Sequence, residues 1–380
     1  MERENNNLTR HLFLCDQTLE FFNIIVILQK MELEGERDIV FSDKNDFSKY
    51  ENKVKETGLF SNIYNIKIKD IEKEFWDLND SEKYNLIVTP KGIVSFPEYT
   101  ETYTDIWINI DSVHAQLQYY NCINNGMNPK IHLICEGIGN YTRKISDVEK
   151  NQEWHEEYKE NSYYNHVLDN YIYMPELYVG EPDIELQEIP RISQEDKELH
   201  DILTFILGKG NLPKEKYIFF ETPLYDMGIM NNELELFENI AEIVGKENII
   251  VKRHPRNSID RFSCLGYKVL PNSILPWEAL LVNNYIEVQQ KIGISIFSQT
   301  CFSPFLIFDI PIHIVCLLDL MRHPVHWYAR PEWVKYHKNF IENINMEKIQ
   351  YHCPNNQEEL IYVMEYLKNF NEETLDENSC

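Results

Sequence analysis

The apolar runs of this chain are short, rich in Ile, Leu, Val and Phe, and stop at polar, glycine or proline turns. Strands buried on both faces of a parallel sheet need such runs, and the segments between them carry apolar residues at helical spacing. Residues 11–15 read as the first strand, and 19–31 as a helix with Phe22, Ile25, Val26 and Leu28 on its apolar side. Asp16 and Thr18 stand at the turn where that helix can be capped. The unit recurs with a strand at 38–41, a helix over 45–57 and a strand at 83–89, then with a helix closing at 126 and a strand at 130–135. It restarts later, with strands at 217–220, 248–252, 267–270 and 292–297 and helices over 232–244, from 276 and through 306. The pattern predicts an α/β chain built on parallel sheets covered by helices.

A length of 380 residues suits two domains of roughly 150 to 200 residues each. The acidic, proline-bearing stretch at 181–198 marks their connection. We therefore expect an N-terminal domain over 1–190, a C-terminal domain over 191–370 and a frayed tail over 371–380. Thirty-six Lys and Arg against 62 Asp and Glu leave a net charge of −26, which repels polyanions and argues against nucleic acid as a partner. The eight cysteines form no CxxC pair, and most sit among apolar residues as reduced core thiols do. The N-terminus opens on Asn5, Asn6 and Asn7 with only a short apolar run behind, so neither a secretory signal nor a membrane span is expected there. Cytoplasm is the expected location; a lipid-linked acceptor would bring the protein to the inner face of the membrane, and a homodimer is compatible with the chain.

Five segments could carry chemistry. Lys252, Arg253, His254, Pro255 and Arg256 follow an apolar strand and concentrate positive charge in an acidic chain. An imidazole between cations suits a phosphate, although a solvated basic strand end has the same letters. Alternation along an extended segment keeps Lys252, Arg253 and Arg256 from all facing one side. Arg322, His323 and Pro324 repeat the His-Pro pair without that strand and read as structural. Ser298 and Thr300 lie where another strand gives way to a helix, as a phosphate seat or as plain capping residues. Glu136, Gly137 and Gly139 lack dinucleotide-fingerprint spacing, but the glycines can let the carboxylate approach a ligand. Glu221 and Asp226 follow a strand as candidate carboxylates or turn acids. Glu278, behind Pro276, falls in the first turn of a helix, where a negative charge is favoured. No His and Cys grouping has zinc spacing, and no paired acids suited to a divalent metal end a strand.

Taken in order, these segments resemble the bacterial sialyltransferases of glycosyltransferase family 52 and, more distantly, the bacterial polysialyltransferases, over most of the chain from Leu12 to Pro304. The resemblance implies a GT-B fold, with two Rossmann-like domains facing across a cleft, and inverting transfer from CMP-sialic acid to a glycan acceptor without cofactor or metal. It implies that His254 acts as general acid or phosphate partner with Pro255 beside it, and that Ser298 and Thr300 lie near the nucleotide. Glu278 would grip the cytidine ribose, and Asp226 or Glu136 would serve as base. Lys252, Arg253 and Arg256 would join the donor contacts. Cys135 stands before Glu136 where related enzymes often carry a second acid, and Glu221 stands where an amide or small polar residue is expected; both leave the acceptor and the base open. A glucosyl-type nucleotide-sugar transferase, or a catalytically silent nucleotide or glycan binder on the same scaffold, remains the alternative.

Overall fold

The computed structural model describes residues 9–88, 103–109, 112–137, 139–150, 162–226, 228, 231–271, 275–322, 338–339, 342–344 and 349–369. The chain divides into two compact units, Met1–Pro190 with Lys197–Leu207, and Arg191–Asp196 with Gly208–Cys380. The helix Lys197–Leu207 is thus part of the first unit although its sequence neighbours on both sides belong to the second. It packs on the helices Thr18–Lys30 and Ser48–Thr57 and buries Leu199, Leu203, Ile206 and Leu207.

The first unit holds seven strands: β1 Arg10–Cys15, β2 Glu36–Ser42, β3 Asn62–Ile66, β4 Asp105–Ile108, β5 Lys130–Ile134, β6 Val167–Ile172 and β7 Glu185–Glu188. Every pair is parallel and the order is β3-β2-β1-β4-β5-β6-β7. The second unit holds β8 Tyr217–Phe220, β9 Ile249–Lys252, β10 Lys268–Val269, β11 Ile292–Ser295, β12 Ile312–Cys316 and β13 Ile349–His352, also all parallel, in the order β10-β9-β8-β11-β12-β13. Both are Rossmann-like sheets flanked by helices, the layout from which GT-B enzymes are built. In each, the order reverses beside the first strand, which creates a crevice beyond the carboxyl ends of β1 and β4, and of β8 and β11.

One expected strand is corrected. Residues 83–88 lie in the helix Asp80–Val88, and residue 89 lies outside the described residues. A short apolar run such as Leu86 to Val88 fits a helix turn as well as a strand; the strand that fills that place in the sheet is β4. The tail 371–380 and the second His-Pro pair, His323 and Pro324, also fall outside the described residues.

One face of the first sheet packs aliphatic residues such as Leu12, Leu14, Val40, Ile106, Ile131 and Leu133 beneath helices. The opposite face carries a buried polar row. His132 on β5 faces Asp169 Oδ1 through Nδ1 at 2.7 Å and Asp105 Oδ1 through Nε2 at 2.9 Å, and stacks on Trp107 at 4.4 Å. Trp107 Nε1 donates to His11 Nδ1 at 3.1 Å. Burial opposes charge on His132, but the two carboxylates outweigh it and raise its pKa. Among the described residues no helix is long and apolar enough to cross a membrane.

The His132 row gives a signed prediction. Its raised pKa means that the imidazolium's contribution is complete below about pH 6.5 and fades as pH rises through the folded-state value. Replacing His132 with Gln should therefore cost about 3 kcal/mol near pH 6, since both buried carboxylates lose a charged partner, and less near pH 9. Urea unfolding at the two pH values checks this, and equal losses would count against it.

Candidate active site

Register decides which side chains share a face in the second unit. Phe220 pairs with Lys252, and Phe219 with both Val251 and Ile294. Phe219, Val251 and Ile294 join the core under the helix Glu233–Val244. Lys252, Phe220 and Ser295 therefore point to the other face, where Trp277 packs edge-on against Phe220 at 5.1 Å. The helix Trp277–Val282 brings Glu278 to the same neighbourhood, and Glu278 is the opposing charge felt by Lys252.

The residues that leave β8 and β9 toward the core side form a closed ionic network. Glu221 is buried and accepts the His254 backbone N–H through Oε2 at 3.1 Å and Arg261 Nη2 through Oε1 at 2.8 Å. Arg261 also reaches Glu233 at 2.7 Å and stacks on the Tyr225 ring at 4.7 Å. Glu233 Oε1 accepts the Thr222 backbone and hydroxyl donors at 2.8 and 2.6 Å. Arg253 turns inward to donate to the Asn257 carbonyl, with Glu221 3.9 Å from its Nε. Arg253, expected among the donor contacts, thus holds the loop that carries His254. Asp226 is exposed, and both its oxygens accept from Ser258, from the backbone N–H at 2.6 Å and the hydroxyl at 3.3 Å. That is the turn-acid arrangement weighed above for this residue.

His254 is left facing outward from this network. The Arg256 backbone N–H donates to its Nδ1 at 3.2 Å, so a neutral ring carries its proton on Nε2. Nε2 has no partner among the described residues. Burial, with Arg256 and Lys252 adding repulsion, lowers its pKa to about 4. At neutral pH the resting ring is therefore neutral, and an anionic phosphate beside it would favour the protonated form. Lys252 is likewise pushed down by desolvation, and Arg256 and Pro255 are exposed. Glu278 is buried and accepts the Ser303 hydroxyl at 2.8 Å.

Ser298 precedes a 3-10 turn, Gln299–Cys301, and caps nothing with its hydroxyl; Thr300 lies within that turn, and both are half-buried. The helix expected there begins later, at Ser303–Phe308. Trp277 Nε1, Ser295 Oγ and Gln299 Oε1 are buried polar atoms without a hydrogen-bond partner. The end of this sheet therefore gathers cations, hydroxyls and orphan polar atoms, which a polar anionic ligand can satisfy.

In the first unit Glu136 follows β5 and accepts Gln17 Nε2 through Oε2 at 3.1 Å, while its backbone N–H donates to Asn140 Oδ1 at 3.0 Å. Neither Gly137 nor Gly139 adopts a positive φ, and Gly139 opens the helix Gly139–Thr142. Beside them is a cluster that sequence reasoning missed. Asp16 accepts His114 Nδ1 and Lys44 Nζ, both at 2.7 Å, and the Ser112 hydroxyl at 2.9 Å. Burial raises the Asp16 pKa, but His114 and Lys44 outweigh it and hold the carboxyl well below its usual range. Glu20, buried next to the Asp16 and Glu136 charges, is raised well above its own. Asp16 could have been found as the residue just past the first strand; His114, 98 positions away, leaves no local signal. No group of three or more His, Cys, Asp or Glu among the described residues is arranged to hold a metal ion.

No family model and no curated protein matches the chain. Among solved structures it is similar to an α/β-galactoside α-2,3-sialyltransferase from Photobacterium phosphoreum, at 11% identity and TM-score 0.47, over 91% of this chain and 99% of that one. A spinosyn forosaminyltransferase aligns at 9% identity and TM-score 0.46, over 96% and 95%. A UDP-N-acetylglucosamine 2-epimerase from Rickettsia bellii aligns at 12% identity and TM-score 0.40, over 76% and 74%.

Removing Glu221 would take one carboxylate from the half-buried Arg261 and Arg253 and release the His254 backbone. Glu221→Ala should cost about 3 kcal/mol of stability, read by urea unfolding, whereas the exposed Asp226→Asn should change stability far less. A loss below that of Asp226→Asn would refute the network's role.

Proposed function

We propose that the chain is an inverting sialyltransferase that moves sialic acid from CMP-sialic acid to a galactose-terminated or sialylated glycan of a surface polysaccharide or lipooligosaccharide, without a metal. The observation that carries this reading is His254, held through its backbone by Glu221 and through Nδ1 by the Arg256 N–H, with Nε2 left unpartnered among the described residues and the Lys252 and Arg256 charges acting on the ring. The ordered likeness to the family 52 motifs supplies the sugar and the cytidine.

In such a transfer the bond from the anomeric carbon to the phosphate oxygen breaks, and charge builds on phosphate. Once phosphate binding has protonated the ring, His254 gives its Nε2 proton to that oxygen and returns to neutral, while Lys252 and Arg256 offset the charge. Glu278, steadied by Ser303, accepts from the ribose hydroxyls, and the Ser298 and Thr300 hydroxyls donate to phosphate. The acceptor hydroxyl loses its proton to a carboxylate as it attacks. We assign that base to Glu136, beside the glycines that follow β5, and read Asp226, whose oxygens hold the Ser258 turn, as a turn acid.

His254→Ala and Glu136→Gln should each lower turnover roughly a hundredfold or more, while Asp226→Asn keeps near-normal turnover; circular dichroism checks folding. Near-normal turnover in His254→Ala would sink the mechanism. Calorimetry should show CMP binding more tightly than UMP or UDP, and activity with CMP-sialic acid should survive EDTA. Preference for UDP would instead indicate a glucosyl-type transferase. CMP binding without transfer to any member of a glycan panel would indicate a silent binder.

A further inference from the structure

Gln17 bridges two carboxylates. Its backbone N–H donates to Glu20 Oε2 at 2.8 Å, and its side-chain amide donates to Glu136 Oε2 at 3.1 Å. Glu20 is fixed from several sides: the same Oε2 accepts the Asp16 backbone N–H at 2.7 Å, and Oε1 accepts Asn109 Nδ2. The first residue of the turn after β1 is therefore locked to a buried anchor, and the next reaches across to the turn after β5. Gln17 and Glu136 are both half-buried, whereas Glu20 is buried.

We propose that Gln17 is the positioning residue of Glu136, gripping one carboxylate oxygen so that the group is held in one orientation and favoured in its charged form. This rests on the assignment of Glu136 as base and extends it to a residue that never touches substrate. The charges around the pair are Glu20, Asp16 with its partners Lys44 and His114, and Glu72 on Lys44; the Cys135 thiol precedes Glu136. Glu20 repels the charge on Glu136, and Lys44 is taken up by Asp16 and Glu72. The Gln17 amide is thus a neutral donor set against neighbouring carboxylates, and its removal takes away one contact that favours the charged form of Glu136.

The test reads Glu136 directly. The carboxyl carbon of Glu136 is followed by 13C NMR across pH, its resonance identified by its loss in Glu136→Gln. In Gln17→Ala its midpoint should rise by about one pH unit, and Gln17→Met, which keeps the volume without the donor, should do the same. A midpoint that stays put in Gln17→Met, with unchanged melting temperature, overturns the proposal. In turnover assays the acidic limb of the kcat profile should move up by the same amount, with kcat reduced about tenfold well below the original midpoint and little changed well above it, and the donor KM unchanged. The titration needs no activity, so the two readings separate. A Glu136→Gln protein that still turns over normally removes the base but leaves the Gln17 tie to be judged by its own midpoint.

Discussion

A single buried carboxylate organises the end of the second sheet. Glu221 leaves β8 toward the core side, where a charge is tolerable only if its lone pairs are filled, and it fills them from the β9 loop and from Arg261. Because one of those donors is the backbone of His254, the position of the imidazole is set by the solvation needs of an acid 33 residues earlier. The remaining anchors, Arg253 on Asn257 and Asp226 on Ser258, repeat the device at lower burial. What is left over, Lys252, His254, Arg256 and the hydroxyls near 300, is what the network does not consume.

The first unit solves the same problem with opposite signs. Its crevice beyond β1 and β4 gathers Asp16, Glu20 and Glu136, and the cost of three acids close together is offset by Lys44, His114 and a set of neutral amides. Asp16 is held ionised and Glu20 is pushed toward its protonated form. Two acids four residues apart are thus driven in opposite directions by their surroundings.

Much of this was legible in the sequence because parallel strands announce themselves as apolar runs and because ligands gather where those runs end. Residues 11–15, 130–135, 217–220 and 248–252 were visible for that reason, and so were His254 and Glu136 at two of their ends. The strand β4 was not: Asp105, Ile106, Trp107 and Ile108 make four residues that begin with an acid, and the segment at 83–89, with its apolar run Leu86 to Val88, drew the assignment instead. Alternation said only that Lys252, Arg253 and Arg256 could not all face one side, not that Arg253 would be the one to turn inward; its partner, the Asn257 carbonyl, has no side-chain signature. Pairings such as His114 with Asp16, or Arg261 with Glu221 and Glu233, join positions that only the sheet order brings together.

The helix Lys197–Leu207 belongs to the first unit while the residues just before it, Arg191–Asp196, belong to the second. Arg191 is tied to the carbonyls of Phe305 and Leu306 and to Asp309. As the chain leaves the ribosome, the first unit can bury Leu199, Leu203 and Ile206 well before the partners of Arg191 have been made. The two units are thus interleaved in time as well as in sequence. The early one can close over its own core during synthesis, and the six residues threaded between its last strand and its last helix must wait for roughly a hundred more before they find their place.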